Sequence, residues 1–167
     1  MGLKVIVVLF FVAFFCQYST CKFGTKDVSI PAEVKTFSLD LFANRASIVN
    51  PQLAPRLTEA FRQKVINQTR LRPLATNGDF AISGYISSYS VTTSGISNGV
   101  AGNNRLNVGF HVILKDNIVD KRSFEADVTR SFDFNANTNL RDAEIALLSE
   151  ITRTLSDEVF NKIFSNW

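Results

Sequence analysis

The segment Leu106-Asn-Val-Gly-Phe-His-Val-Ile-Leu-Lys115 decides the fold class of this 167-residue chain. Its apolar side chains recur at every second position, namely Leu106, Val108, Phe110, Val112 and Leu114. The positions between them include Asn107, Gly109, His111 and Lys115. Because successive side chains of a strand point to opposite faces, this period of two predicts a β-strand with one buried and one polar face.

A similar alternation follows downstream, after the turn that Asp116-Asn117 begins. The apolar positions of this second strand are Phe124, Ala126, Val128, Phe132 and Phe134, and Arg130 interrupts them. Its other face carries Glu125, Asp127, Thr129 and Ser131. The segment therefore predicts a second half-buried strand next in sequence.

A third strand is predicted upstream, after the turn Asn77-Gly78-Asp79. Its predicted faces carry Phe80, Ile82 and Ile86 on one side and Tyr85, Tyr89 and Val91 on the other. Residues 94–104 hold three glycines and three asparagines. This composition predicts a flexible loop between the strands and not a two-residue hairpin turn.

The remaining periodic segments predict one more strand and two helices. Phe37, Leu39 and Leu41 alternate with polar residues within 34–42, which is typical of a strand. After Asn50-Pro51, apolar residues recur every four positions to near Thr69 and predict an amphipathic helix, with Pro55 in or near its first turn. A second helix is capped by Asn139 and runs almost to Trp167; its apolar stripe is Leu148, Ile151, Leu155, Val159 and Ile163.

The predicted element order is strand, helix, three strands, helix. Two helical stripes and one sheet face must be buried together, and the simplest arrangement is one layer of helices on one sheet. The sequence therefore predicts an α+β fold, a two-layer sandwich of two helices on a four-stranded mixed sheet. A chain of this length has room for one such domain, which we expect over residues 34–167.

The N-terminus has the pattern of an export signal. Met1-Gly2-Leu3-Lys4 is a short basic start, and an unbroken apolar run from Val5 to Phe15 follows it. Eleven apolar residues make a helix of about 16 Å, roughly half of what a bilayer core requires. We expect residues 1–20 to be a lipoprotein signal peptide and residues 21–33 to be a lipidated N-terminus and tether. A membrane-spanning anchor is the alternative interpretation of this segment.

Two cysteines, Cys16 and Cys21, lie at the end of this apolar run, and the rest of the sequence has none. A disulfide or a cysteine-rich metal site within the domain is thereby excluded. A cysteine in this place suits lipid attachment after signal cleavage. Cys21 follows the small residues Ser19 and Thr20 and is our candidate for acylation, and Cys16, after Phe14-Phe15, is the alternative. The alternative is that the cysteine is simply part of the leader and carries no lipid.

Charge and residue types argue against several classes of function. The formal net charge is +3 and falls by one if Lys4 leaves with the leader, and basic residues are interspersed with acidic ones. No electrostatic footprint for nucleic acid is therefore expected. The single histidine, His111, lies on the polar side of its strand without a triad, and Asp79, Asp116, Asp120 and Asp133 occupy predicted strand ends. We expect no enzyme, no cofactor and no metal.

The basic residues Arg62, Lys64, Arg70 and Arg72 are candidates for contact with anionic groups such as phosphates. An ordinary solvated helix face is the alternative interpretation of the same four residues. Nothing in their spacing distinguishes the two.

Residues 28–51 resemble the start of the LptE family of lipopolysaccharide-assembly lipoproteins. The motifs that carry the resemblance are Ser29-Ile30-Pro31, Val34-Lys35-Thr36, Phe42-Ala43-Asn44 and Val49-Asn50-Pro51. Thr58-Glu59-Ala60, Asn77-Gly78-Asp79, Asn104-Arg105-Leu106 and the terminal residues 160–167 continue it. The resemblance covers nearly all of the chain after the leader, and the family's acylated cysteine corresponds to Cys21.

This resemblance implies an outer-membrane lipoprotein that plugs the LptD β-barrel, helps it to assemble and assists lipopolysaccharide transport to the cell surface. The expected partners are that barrel, lipopolysaccharide and the membrane that holds the lipid anchor. The expected location is the outer membrane, on its periplasmic side or in the barrel lumen. The alternative is a periplasm-facing lipoprotein that binds another envelope protein or polymer, and a secreted hydrolase built on His111 is a third hypothesis.

Overall fold

The computed structural model describes residues 30–48, 50–97 and 100–165. Within these residues a mixed sheet packs against two helices. The strands are β1 (Thr36–Leu39), β2 (Ala43–Asn44), β3 (Arg72–Leu74), β4 (Phe80–Ser97), β5 (Val100–Asp116) and β6 (Phe124–Asn135). The helices are α1 (Leu53–Gln68) and α2 (Leu140–Phe164), with a short 3₁₀ turn at Asp120–Arg122. The α+β class and the two predicted helices are confirmed.

The sheet has the strand order β3-β1-β4-β5-β6, and β2 pairs with β4 beside β1. Pairing is parallel on the β1 side and antiparallel from β4 to β6, so the sheet is mixed, as predicted. The predicted number of four strands is wrong, because the described residues form six. The two missed strands, β2 and β3, have only two and three residues. Segments of that length are too short to show a period of two.

Both helices begin where local chemistry permits. Pro55 lies in the first turn of α1, where its missing N–H would have no helical partner in any case. In α2 the Asn139 side chain accepts a 3.0 Å hydrogen bond from the Asp142 backbone N–H and so caps the helix. The apolar side chains of α1 that recur every four residues are fully buried: Leu53, Leu57, Phe61 and Val65.

One hydrophobic core fills the space between the sheet and the helices. The five apolar residues of the Leu106–Leu114 segment are at most 1% exposed, which confirms the predicted alternation of β5. Phe42, just before β2, packs between Phe61 of α1 and Phe110 of β5, with ring centroids 5.8 and 4.8 Å away. These contacts join the helices and the strands into one packing unit.

A β-bulge in β4 changes which face its residues occupy. The register with β5 shifts between Ile86 and Ser88, so Tyr89 lies opposite Val108 and is 3% exposed in the core. The prediction that Tyr89 and Val91 share a face with Tyr85 is therefore wrong. An inserted residue reverses the face of every side chain beyond it.

The predicted flexible loop over residues 94–104 is also wrong, since most of it is strand. Ser94 pairs with Asn103, Ile96 with Ala101 and Ser97 with Val100, so β4 and β5 form one long hairpin. Asn98 and Gly99, which join them, lie outside the described residues. Gly- and Asn-rich composition indicates a turn somewhere in a segment, but it does not set the turn's length.

Candidate functional site

The face of β4, β5 and β6 that points away from the helices, called the open face here, carries the polar residues of the sheet. In β5 these positions are Arg105, Asn107, Gly109, His111, Ile113 and Lys115, the alternates of the core residues. Residues of β4 pair with all of these positions, and residues of β6 pair with all of them except Lys115. The alternation of the sequence thus builds a broad polar surface.

His111 lies at the centre of the open face, between the two neighbouring strands. It pairs with Tyr85 of β4 and with Asp127 of β6. The Tyr85 and His111 rings stack with centroids 5.0 Å apart, and the Arg45 guanidinium lies 4.1 Å from the centroid of Tyr85. A cation–π contact and a ring stack therefore continue from β2 across to β5.

Two carboxylates of β6 face the imidazole of His111. Its Nδ1 lies 2.8 Å from Asp127 Oδ1 and its Nε2 lies 3.1 Å from Glu125 Oε2. Both nitrogens donate at once only in the imidazolium form. The Asp127 carboxylate, followed by Glu125, raises the pKa of His111 above its ordinary value, although partial burial opposes this. The arrangement stabilises a positive charge, and it could not be predicted from the sequence because strand register is a tertiary property.

Closer to the hairpin tip, the open face is held by further side-chain pairs. Arg105 donates from Nε and Nη2 to the two carboxylate oxygens of Asp133, at 2.7 and 3.0 Å. This contact with Arg105 holds the pKa of Asp133 below its ordinary value. Asn107 donates to Thr92 Oγ1 and accepts from Ser131 Oγ. The polar groups of this face therefore satisfy one another and hold fixed positions.

Three of the four candidate basic residues contact acceptors of the chain itself. Arg62 lies 3.5 Å from Glu59, and Lys64 lies 2.9 Å from Asp157 of α2. Arg70 donates from Nη2 to the carbonyl oxygens of Ile30 and Pro31, both at 2.8 Å. Arg72 is exposed on β3. The residues thus extend from the middle of α1 to β3 and are not all on one helix face.

An ion-pair network centred on a buried aspartate closes the turn between β5 and β6. The Asp116 side chain is fully buried, and its carboxylate receives the Ile118 and Val119 N–H groups at 2.8 Å and Arg122 Nε at 2.5 Å. Burial by itself raises the pKa of Asp116, but hydrogen bonds from Val119 and Arg122 outweigh it and lower the pKa. Arg122 also donates to Glu33 at 2.7 Å.

The remaining predicted aspartates have structural partners or exposed positions. Asp79 accepts hydrogen bonds from the Lys35 and Thr36 N–H groups at 2.8 and 2.9 Å, the first of which is the main cause of its lowered pKa. Asp120 begins the exposed 3₁₀ turn. These contacts explain the aspartates as turn and strand-end residues.

Two surface hollows lie at the helices. One of about 580 Å³ runs between α1 and α2 and is lined by charged and polar residues that include Arg56, Glu59 and Arg153. A second of about 430 Å³ lies at the two helix N-termini, beside Asn50, Glu144 and Ile145. Among the described residues, no group of three or more His, Cys, Asp or Glu is placed to hold a metal ion.

The chain matches the family model of LptE, lipopolysaccharide-assembly, over residues 34–163. That match covers most of the chain. The chain belongs to the LptE family. The LptE family is a non-catalytic lipoprotein family. Cys21 and Cys16, the candidate acylation sites, lie outside the described residues.

Solved structures share the fold of this LptE family member at low sequence identity. A hypothetical protein from Chlamydia trachomatis is 9% identical with a TM-score of 0.55, covering 80% of this chain and 99% of that one. The uncharacterized lipoprotein B from Nitrosomonas europaea is 11% identical with a TM-score of 0.53, covering 79% and 83%. A minor lipoprotein from Acinetobacter baumannii is 14% identical with a TM-score of 0.50, covering 78% and 92%.

No curated protein matches the chain in sequence. Neither α1 nor α2 has a stretch long and apolar enough to cross a bilayer. The family assignment thus rests on the family match, and the structural neighbours support the fold alone.

Proposed function

We propose that this LptE family member plugs an LptD-type outer-membrane β-barrel, helps it to assemble and assists the passage of lipopolysaccharide to the cell surface. The observation that carries the proposal is the family match over residues 34–163. In this proposal the chain acts through binding. The barrel and lipopolysaccharide are its partners, and the outer membrane is its location.

The surface chemistry of the domain suits a protein in a water-filled lumen. The open face is polar, and its charged groups pair with one another, as Arg105 does with Asp133 and His111 with Asp127. Barrel interiors are polar and wet, so a plug requires a polar exterior that keeps its shape. One core beneath that surface provides the rigidity.

We also propose that a lipid on Cys21 holds the domain at the membrane. A tether raises the local concentration of the domain near a barrel in the same membrane, so a modest interface is sufficient for stable association. Several acyl chains give a stable anchor, since each buried CH₂ contributes about 0.8 kcal/mol. Cys16 is the alternative position.

The four basic residues are our candidates for contact with lipopolysaccharide phosphates. Arg72 is exposed on β3, and Arg70 is exposed next to it. Guanidinium groups pair well with phosphate oxygens. Arg62 and Lys64 lie on α1 and would have to exchange Glu59 and Asp157 for such a ligand.

The test is a pull-down of the tagged full-length chain from its native membranes in mild detergent, followed by mass spectrometry. We expect a stoichiometric β-barrel partner, an acylated N-terminal peptide beginning at Cys21, and bound lipopolysaccharide. In a Cys21→Ser variant, the acylated peptide and most of the barrel should be lost. An Arg72→Glu variant should keep the barrel and recover less lipopolysaccharide.

The matched control is Cys16→Ser, which should leave acylation and barrel recovery unchanged. Recovery of a different envelope protein without a barrel would support the periplasm-facing alternative. An unmodified Cys21 together with no barrel would refute the proposed function.

A further inference from the structure

The N-terminal segment joins the domain at one end of the sheet, which we call the tether end and define as residues 30–35, 70–72 and 116–122. Arg70 donates to the carbonyl oxygens of Ile30 and Pro31, both at 2.8 Å. Arg122 binds Glu33 at 2.7 Å, and its partner Asp116 is buried. Two guanidinium groups thus fix the position at which the chain enters the domain.

This position sets which part of the domain lies nearest to a lipid on Cys21. Nine residues lead from Cys21 to Ile30, and even when fully extended they span at most about 30 Å. The 18 residues of β4 run away from the tether end for about 60 Å, at roughly 3.3 Å per residue. The tip of the hairpin is therefore out of reach of the anchor, whereas the tether end is within it.

Two apolar side chains are exposed at the tether end. Ile118 and Val119, in the turn after β5, are 44% and 39% exposed. The N–H groups of both residues bond to Asp116 Oδ1, so the turn holds its shape without burying their side chains. An exposed pair of branched apolar residues beside an anchored terminus is a candidate for contact with lipid.

The charges around these two residues favour an anionic surface. Lys35, Lys115 and Lys121 are exposed near them. Of the nearby carboxylates, Asp116 and Glu33 are paired with Arg122, and Asp79 accepts backbone N–H groups. Asp120 is exposed and opposes the lysines. Basic residues near a membrane surface are attracted to the headgroups when the lipids are anionic.

We propose that the tether end rests on an anionic lipid bilayer, with Ile118 and Val119 in the headgroup region and Lys35 and Lys121 facing the headgroups. The proposal rests on the lipid anchor of the proposed function, which would keep this end within reach of the bilayer. The domain then has a fixed orientation, with the tether end at the periplasmic mouth of the proposed barrel and the β4–β5 hairpin directed into its lumen.

The test measures contact of a labelled turn with lipid. The full-length chain is purified from its membranes as a Val119→Cys variant, labelled with a fluorophore and reconstituted into vesicles that contain nitroxide-labelled lipid. A Ser131→Cys variant on the open face is the matched exposed control, and the chain without an added cysteine gives the background. We expect lipid to quench the label at position 119 several-fold more strongly than the label at position 131.

The charge requirement is tested on the same label. Lys121→Glu, or vesicles of phosphatidylethanolamine without phosphatidylglycerol, should reduce the quenching at position 119. Arg153→Glu, an exposed charge reversal on α2, should leave it unchanged. Equal quenching at positions 119 and 131, or quenching unaffected by Lys121→Glu, would overturn the proposal.

These readouts separate the two proposals. A barrel and an acylated Cys21 without quenching at position 119 would leave the proposed function standing and refute the lipid surface. Quenching at position 119 without a barrel would support the lipid surface and refute the plug.

Discussion

His111 is the only histidine of the chain, and its two ring nitrogens each face a carboxylate of β6. Its structural role is explained by this charge pairing and by the stack on Tyr85. The carboxylates are largely exposed, so water and salt weaken their attraction to the imidazolium. The pairing of His111 with these carboxylates therefore affects local order and the pKa of His111 more than the overall stability of the protein.

We predict that the pKa of His111 in the folded protein lies above its ordinary value, because Asp127 and Glu125 favour the imidazolium. The raised folded pKa gives a stabilisation of less than about 1 kcal/mol. It is fully present below the unfolded pKa, near 6.5, and is lost as the pH rises through the folded pKa. A pH titration of the histidine NMR signals measures the pKa of His111 directly, because this residue is the only histidine and gives all of these signals.

In the same titration, Asp127→Asn should lower the pKa of His111 more than Glu125→Gln does, because Asp127 makes the shorter contact. Asp133→Asn, which removes a carboxylate paired with Arg105, is the control and should leave the pKa unchanged. A His111 that titrates below 6.5 in the unsubstituted protein would contradict this account.

The β5–β6 turn depends on a buried carboxylate. Asp116 receives two backbone N–H groups and one guanidinium, whereas Asp133, also paired with an arginine, is exposed on β6. A buried hydrogen-bond donor that loses its acceptor lowers the free energy of unfolding far more than an exposed donor does. The exposed donor can hydrogen-bond to water instead. Asp116 is therefore expected to contribute more to the stability of the protein than Asp133 does.

We predict that Asp116→Ala lowers the free energy of unfolding by about 3 kcal/mol, because it empties a buried side-chain position and leaves two partly buried N–H donors and one side of Arg122 without an acceptor. Urea denaturation followed by circular dichroism gives this value. Asp133→Ala is the matched control and should change the denaturation midpoint much less. Similar midpoints for the two variants would show that burial of Asp116 does not stabilise the turn.

The elements differ in how far the sequence could predict them. β5 and β6 alternate over many residues, and α1 and α2 repeat an apolar stripe, so their type is readable, as are the approximate limits of β6, α1 and α2. β3 pairs with β1 in parallel, and all three of its residues are exposed. Such a strand shows no hydrophobic pattern, because its residues are exposed. Its place in the sheet depends on a neighbour that is distant in sequence.

At the scale of the whole molecule, both helices and the sheet share one core. A single core of this kind predicts one cooperative unfolding transition. Ile151 of α2 is 1% exposed in this core, whereas Ile145, earlier in the same helix, is 70% exposed. Replacing each of these two isoleucines separates the effect of burial on stability from the effect of helix propensity.

We predict that Ile151→Ala destabilises the protein by about 3 kcal/mol, the usual cost of removing a buried aliphatic side chain and leaving a cavity. Ile145→Ala should change stability by less than about 0.5 kcal/mol. Both variants should unfold in a single transition that fluorescence and circular dichroism report identically. Separate transitions for the two signals would mean that the helices and the hairpin do not form one unit.

The sequence by itself determined the α+β class, the two helices, the polar and apolar faces of β5, and the family resemblance that the family match confirms. These features follow from the local periods of the chain, which any segment displays on its own. The bulge between Ile86 and Ser88, the long hairpin, the two short strands and the charge network at His111 were decided by the tertiary structure. Each depends on which strand residues lie opposite one another, and that register is fixed only when distant segments pair across a common core.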